Sequence, residues 1–172
     1  MYIETHGCKL NQADSSLLAR DFVGAGYKMA SSEQSVDVYI LNSCTVTHVA
    51  DRKARRALRA AKRRYPQAII VAAGCYPERT PKELESMDAV DLIFGNHDKH
   101  SLVSKVTERH NEIHDICQTG STSNSIKLLN SPWSKTRASV KIQEGCNQVC
   151  AYCIVPKVRG RERSILPEVI VS

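Results

Sequence analysis

"VDVYILN", residues 36–42, carries Cys44 two positions beyond its end. A run this short and this nearly continuous in apolar residues reads as a strand covered on both faces, the pattern of a parallel sheet with helices packed against it. "AIIVAA", residues 68–73, repeats the arrangement, with Cys75 two positions on. Tyr2 to Thr5 and Val90 to Phe94 read as two further strands, and Cys8 lies just past the first. Helical periodicity fills the gaps. Asp14 to Ala25 places Leu18, Phe22 and Ala25 on one side, with Gly26 as a stop. Thr47 to Tyr65 does the same with Ala54, Ala57, Leu58, Ala61 and Tyr65, and Pro66 ends it. Pro81 to Met87 and Lys99 to Arg109 read as shorter helices. Strand and helix in alternation predict an α/β fold over residues 1–108, an open parallel sheet of Rossmann or flavodoxin type with right-handed crossovers.

The pattern fails after residue 108. "QTGSTSNS" (118–125) is small and polar, and "LLNSPWSK" (128–135) holds a proline and the single tryptophan. Residues 109–137 therefore read as an interdomain linker, with a short strand near Glu112 to Ile116. "ASVKIQ", residues 138–143, alternates like a strand, and a helix is expected to start near Pro167. Residues 138–172 form the second unit.

The chain has 172 residues, 42% of them hydrophobic, a globular composition. No basic segment with an apolar core precedes the first strand, and no apolar run approaches the length of a bilayer span. A cytoplasmic location is expected. Thiols stay reduced there, so seven cysteines point to metal or cluster ligation before disulfides. The net charge of +6 suits an anionic partner such as RNA.

Cys146, Cys150 and Cys153 stand in C-x3-C-x2-C spacing. Three thiolates on one loop reach three corners of a [4Fe–4S] cluster and leave one iron open, as a catalytic centre requires. A zinc loop completed elsewhere, for instance by His110 or His114, is the alternative. Cys8, Cys44 and Cys75 are scattered in sequence, but each follows a strand, and the carboxyl ends of parallel strands share one edge. Gly7 and Gly74 each precede a cysteine and allow a tight turn. A second three-cysteine cluster follows; three ordinary buried cysteines are the alternative. Cys117 has no partner at useful spacing, and the six histidines form no ligand motif.

"DRKARRALRAAKRR", residues 51–64, holds eight basic side chains. With its apolar positions turned inward, Arg52, Lys53, Arg55, Arg56, Arg59 and Arg63 are candidates for phosphate contact near the cysteine edge. A merely solvated helix face is the alternative. "KVRGRERS", residues 157–164, is a second basic loop beside the cysteine triplet.

"GCNQVCAYCIVPKVRGRERS" (145–164) resembles the radical S-adenosylmethionine signature with the flanks of the methylthiotransferase family. "GCKLNQADS", "NSCTVTHVADRKARRALR" and "IVAAGCYPE" are similar, in order, to that family's three amino-terminal cysteine segments. The first two look most like the bacterial branch that acts on threonylcarbamoyladenosine at tRNA position 37. The resemblance implies two [4Fe–4S] clusters. The one on Cys146, Cys150 and Cys153 would bind S-adenosylmethionine and, passing on one electron from an electron donor, yield the radical that activates the adenosine. The one on Cys8, Cys44 and Cys75 would carry the inserted sulfur, and a second S-adenosylmethionine would supply the methyl group. Tyr152 would pack near the cofactor, or else be a loop aromatic that fills space. Asn11 and Asn42 would orient the loops of the first cluster, with helix capping the other role open to Asn11.

Residues 138–172 would supply only the first βα unit of a radical S-adenosylmethionine (β/α) barrel, which in full takes about 250 residues. The chain thus reads as an amino-terminal fragment, expected to be inactive alone. A non-catalytic iron–sulfur module and a zinc-stabilised RNA-binding protein stay open as other classes. Within the enzyme class, another tRNA adenosine or a ribosomal protein is the rival substrate.

Overall fold

The computed structural model describes residues 1–30, 35–113 and 140–171. Four strands, β1 (Tyr2–Thr5), β2 (Val38–Ser43), β3 (Ile69–Gly74) and β4 (Leu92–Phe94), form one parallel sheet in the order β1-β2-β3-β4. Every residue of β2 and β3 is buried, whereas β1 and β4 are only partly so. That is why the two central strands are the apolar runs visible in the sequence.

Helices α1 (Lys9–Gly24) and α5 (Leu102–Ile113) cover one face, where Leu18, Phe22, Leu102 and Val106 pack on Ile3, Ile40 and Val71. Helices α2 (His48–Arg64), α3 (Cys75–Arg79) and α4 (Pro81–Glu85) cover the other, where Leu58, Tyr76 and Leu84 pack on Tyr39, Leu41 and Ile70. The strands add in sequence order while α1 and α2 lie on opposite faces, so the β1–β2 and β2–β3 connections have opposite hand. This corrects the expectation that all crossovers are right-handed. The sheet is otherwise the expected open parallel α/β sheet, its strands in sequence order. The loops leaving β1 and β2 meet at its carboxyl edge, where the His6 amide donates to the Asn42 carbonyl at 2.8 Å. Cys8 and Cys44 lie on those two loops.

Several boundaries move. Helix α1 begins at Lys9, five positions before the expected Asp14. Its inner face there is Asn11, Asp14 and Ser15, polar yet buried, which hides the periodicity. Helix α5 follows a 3-10 turn at Lys99–Ser101 and runs to Ile113, so residues 109–113 are helix rather than linker, and Glu112 is not in a strand. The rest of the expected linker, with Cys117 and His114, lies outside the described residues. Of the expected strand at 138–143, residues 138–139 lie outside the described residues, and among the rest only Gln143 is in a strand, β5 (Gln143–Glu144), which pairs antiparallel with β6 (Arg163–Ser164). Among the described residues it has no parallel neighbour. Val140 and Ile142 beside it are each 61% exposed. Helix α6 (Val155–Arg159) lies between β5 and β6, and α7 (Pro167–Val171) starts where proline was expected to open it.

Candidate metal centre

Cys8 is the N-cap residue of α1, Cys44 follows β2, and Cys75 opens α3 directly after β3. The topology brings all three to the carboxyl edge of the sheet. The side-chain oxygen of Asn11 lies 3.8 Å from the Cys8 sulfur and 4.0 Å from the Cys75 sulfur. Its amide nitrogen donates to the carbonyls of His6 (2.9 Å) and Ser43 (3.1 Å), tying the β1 and β2 loops together. Asn42 in turn donates to the Asn11 carbonyl (2.8 Å) and to Ser15 Oγ (2.9 Å). Asn11 is therefore no cap; both asparagines hold the loops in place.

The glycines act as expected. Gly7 has φ +123°, and a Cβ there would stand 2.6 Å from Cys44 Cβ. Gly74 has φ +101°, and a Cβ there would stand 2.5 Å from the Ser43 carbonyl oxygen. The loop after Cys44 is fastened from α2 and α3: Thr45 donates to Asp51 at 2.6 Å, and Arg79 donates to Thr45 Oγ1 at 3.0 Å. Burial raises the pKa of the Cys44 thiol, and the neighbouring charges of Cys75 and Cys8 add to the rise. Three thiolates crowded in this way call for a cationic centre between them.

Among the described residues, no three His, Cys, Asp or Glu side chains are close enough to hold one metal ion. The Asn11 oxygen lies within 4.0 Å of the Cys8 and Cys75 sulfurs, and Cys44 meets the same loops at Gly7, where an added Cβ would stand 3.4 Å from its sulfur. Three soft thiolates on separate loops are a donor set of the kind that takes zinc or an iron–sulfur group. Of the described histidines, His6 binds Glu4 (2.7 Å), and His110, one of the two zinc candidates, rests against Tyr27; His114, the other, lies outside the described residues.

The second triplet sits on the loop between β5 and α6. The Cys146 amide donates to the Gly160 carbonyl (3.2 Å), the Gln148 amide donates to the Cys146 sulfur (3.4 Å), and the Cys153 amide donates to the Cys150 carbonyl (3.1 Å). Cys150 is exposed and the other two are half-buried. Tyr152 is 93% exposed, so it fills no space against the protein.

A buried ion network, invisible in the sequence, joins the two regions. Arg159, 3% exposed, donates to the Asn11 side-chain oxygen, to Asp14 (3.2 Å) and to Glu144 (2.9 Å). Lys99 and Lys141 each donate to Asp14 at 2.8 Å. Asn96 donates to the Cys75 sulfur (3.4 Å) and to the Val158 carbonyl (2.6 Å). Burial pushes the Asp14 carboxyl up, but Lys99 and Lys141 overcome it and bring its pKa to about 2. Burial works against the Arg159 charge too, yet Cys75 and Asp14 raise its pKa. These pairs span up to 145 positions, and no local pattern announces them. A cavity of about 320 Å³ beside the network is lined by Asp14, Lys99 and Glu144 but by none of the six cysteines of the two triplets.

On α2, Arg52, Lys53, Arg56, Arg59 and Arg63 are exposed and, among the described residues, have no ion-pair partner. Arg55 differs: it donates to Glu83 (2.8 Å) and to Tyr76 (3.0 Å). Helix α2 runs away from the cysteine edge, so only Arg52 and Lys53 lie near it; Arg63 is about 16 Å farther along the axis. Among the described residues, no helix is long and apolar enough to cross a membrane.

Residues 1–95, the sheet with all three amino-terminal cysteines, match the uncharacterized protein family UPF0004. The chain belongs to that family. A threonylcarbamoyladenosine tRNA methylthiotransferase MtaB of Aquifex aeolicus is 41% identical to this UPF0004 chain over 175 residues, covering 98% of the chain and 42% of the relative. The MtaB of Bacillus subtilis is 37% identical, with 98% and 38% covered. A tRNA-2-methylthio-N(6)-dimethylallyladenosine synthase of Carboxydothermus hydrogenoformans is 36% identical, with 99% and 41% covered. The resemblance to the methylthiotransferases is thus borne out. The chain spans about two-fifths of the length of these relatives.

Proposed function

We propose that this chain is the cluster-bearing amino-terminal part of a cytoplasmic radical S-adenosylmethionine tRNA methylthiotransferase acting on threonylcarbamoyladenosine 37. The convergence of Cys8, Cys44 and Cys75 around Asn11 carries the reading. Those three cysteines would hold one [4Fe–4S] cluster, and Cys146, Cys150 and Cys153 a second. The clusters, with S-adenosylmethionine and an external electron donor, supply the radical and sulfur-transfer chemistry.

The chain's own residues set the frame. Asn11 and Asn42 lock the β1 and β2 loops, and the Thr45–Asp51–Arg79 link pins the segment after Cys44. Gly7 gives the backbone close approach to Cys44. Tyr152 stands in solvent beside two ligands, free to cover a bound S-adenosylmethionine. The exposed arginines of α2 would neutralise tRNA phosphates. Residues 1–113 would form the amino-terminal domain, closed by α5, and 138–172 the opening of a barrel whose later strands the longer relatives have room for, with a linker between the two. The chain alone is expected to bind clusters without methylthiolating RNA.

The test is iron and acid-labile sulfide per chain after anaerobic reconstitution. About eight irons are expected, falling by half in a Cys8→Ala/Cys44→Ala/Cys75→Ala chain and by half in a Cys146→Ala/Cys150→Ala/Cys153→Ala chain. About four irons, lost only with the second set, would sink the two-cluster reading. Relatives named for dimethylallyladenosine keep that tRNA nucleoside as the second reading. Swapping tRNAs, and a ribosomal protein, in an assay of the extended protein separates the substrates.

A further inference from the structure

Arg159 is an unusual place to bury a guanidinium. The network around it contains two carboxylates, Asp14 and Glu144, against three largely enclosed cations, Lys99, Lys141 and Arg159, while the exposed Arg163 lies 3.8 Å from Glu144 at its rim. Even without Arg163, one enclosed positive charge is left without a carboxylate, and a buried charge without a counter-charge is costly. The excess points one way. Arg159 Nη2 bonds the Asn11 oxygen, the atom that lies against the sulfurs of both Cys8 and Cys75. Asn96 brings a second donor to Cys75 from the same side. The backbone on either side of Arg159 meets both triplets: the next residue, Gly160, accepts from the Cys146 amide, and the preceding Val158 accepts from Asn96, the donor to Cys75. One residue thus touches the environment of both cysteine triplets.

We propose that Arg159 is the counter-charge and positioning residue of the amino-terminal cluster, holding up its reduction potential and seating the Cys146 loop against it. The proposal rests on the two-cluster reading above. Its physical basis is simple. Reduction adds negative charge to a thiolate-ligated cluster, and a fixed cation a few ångströms away in a dry site favours the reduced state. Lysine at 159 would keep the charge but lose the forked contact to Asn11 and Glu144. Methionine would remove the charge while keeping much of the bulk, and Lys99 and Lys141 would still compensate Asp14.

The experiment is a redox titration followed by electron paramagnetic resonance on the reconstituted chain. It is run in the Cys146→Ala/Cys150→Ala/Cys153→Ala background, where only the amino-terminal cluster forms. The midpoint is expected to fall in the order Arg159, Arg159→Lys, Arg159→Met. Asp14→Asn removes a negative charge from the same network and is expected to shift it the opposite way, which keeps a charge-dependent readout if Arg159→Met folds poorly. In the reciprocal Cys8→Ala/Cys44→Ala/Cys75→Ala background, Arg159→Met is expected to move the other cluster's midpoint less. Equal midpoints across the series, or equal shifts in both backgrounds, would overturn the proposal while leaving two clusters in place. Absence of iron from the first background with Arg159 intact would instead remove the two-cluster reading, and the proposal with it.

Discussion

The side-chain oxygen of Asn11 lies 4.0 Å from the sulfur of Cys75, a residue 64 positions away in the sequence. The same asparagine bonds the His6 and Ser43 carbonyls, so it fixes the backbone just before Cys8 and just before Cys44. Asn11→Leu takes the donor from both carbonyls and the acceptor from Arg159. A loss of about 1–3 kcal/mol is expected from the unpaired groups. Urea denaturation measures it, and iron analysis should show the amino-terminal site emptied first. An unchanged midpoint and full iron would mean that the asparagine is a bystander.

Gly7→Ala tests the turn. At φ +123° an alanine is strained, at about 1–3 kcal/mol for the backbone alone, and its methyl group would press on Cys44. Gly24→Ala in α1 meets nothing within 4 Å and serves as the control. Stability and iron content should both fall in the first variant and hold in the second. Equal behaviour of the two would refute the close approach.

Acid should expose the Asp14 network. The Asp14 pKa is about 2 in the folded chain against 3.8 as the reference. A depressed carboxylate pKa gives stability that is fully present above the reference value and lost as pH falls from about 4 towards 2. The shift corresponds to about 2 kcal/mol. Urea midpoints at pH 6, 4 and 2.5 should show this loss in the parent chain, and a weaker dependence in Asp14→Asn. Parallel curves would contradict the assignment.

The α2 stripe makes a prediction about salt. Replacing Arg52, Arg56, Arg59 and Arg63 together by Ala should weaken tRNA binding and flatten its salt dependence by roughly 3 in log–log slope. Arg55→Ala should act differently, because its guanidinium is committed to Glu83 and Tyr76. It should cost stability before affinity. If the fourfold variant keeps the parent's affinity and slope, the stripe is a solvated surface.

What local sequence determined here is the sheet and the edge that carries the cysteines. β2 and β3 are walled by helices on both sides, so solvent exclusion leaves unbroken apolar runs at residues 38–41 and 69–73, with polar Asn42 and Ser43 only at the end of β2 that meets the site. Cys44 and Cys75 then fall past strand ends by counting alone. The start of α1 was not legible for the opposite reason: Asn11, Asp14 and Ser15 are buried because the site needs them, and polar residues on an inner face erase the helical period.

Only the tertiary structure decided which charges meet. Arg159, Lys141 and Lys99 reach Asp14 across 145, 127 and 85 positions. Long-range ion pairs depend on how whole elements dock, and no short-range pattern encodes docking. The same holds for Arg55, which looks like its helical neighbours in sequence and is set apart by Glu83 on α4. It holds as well for the opposite hands of the first two crossovers. Periodicity reports whether a residue faces water or protein. The partner it finds there is fixed by the packing of the assembled chain.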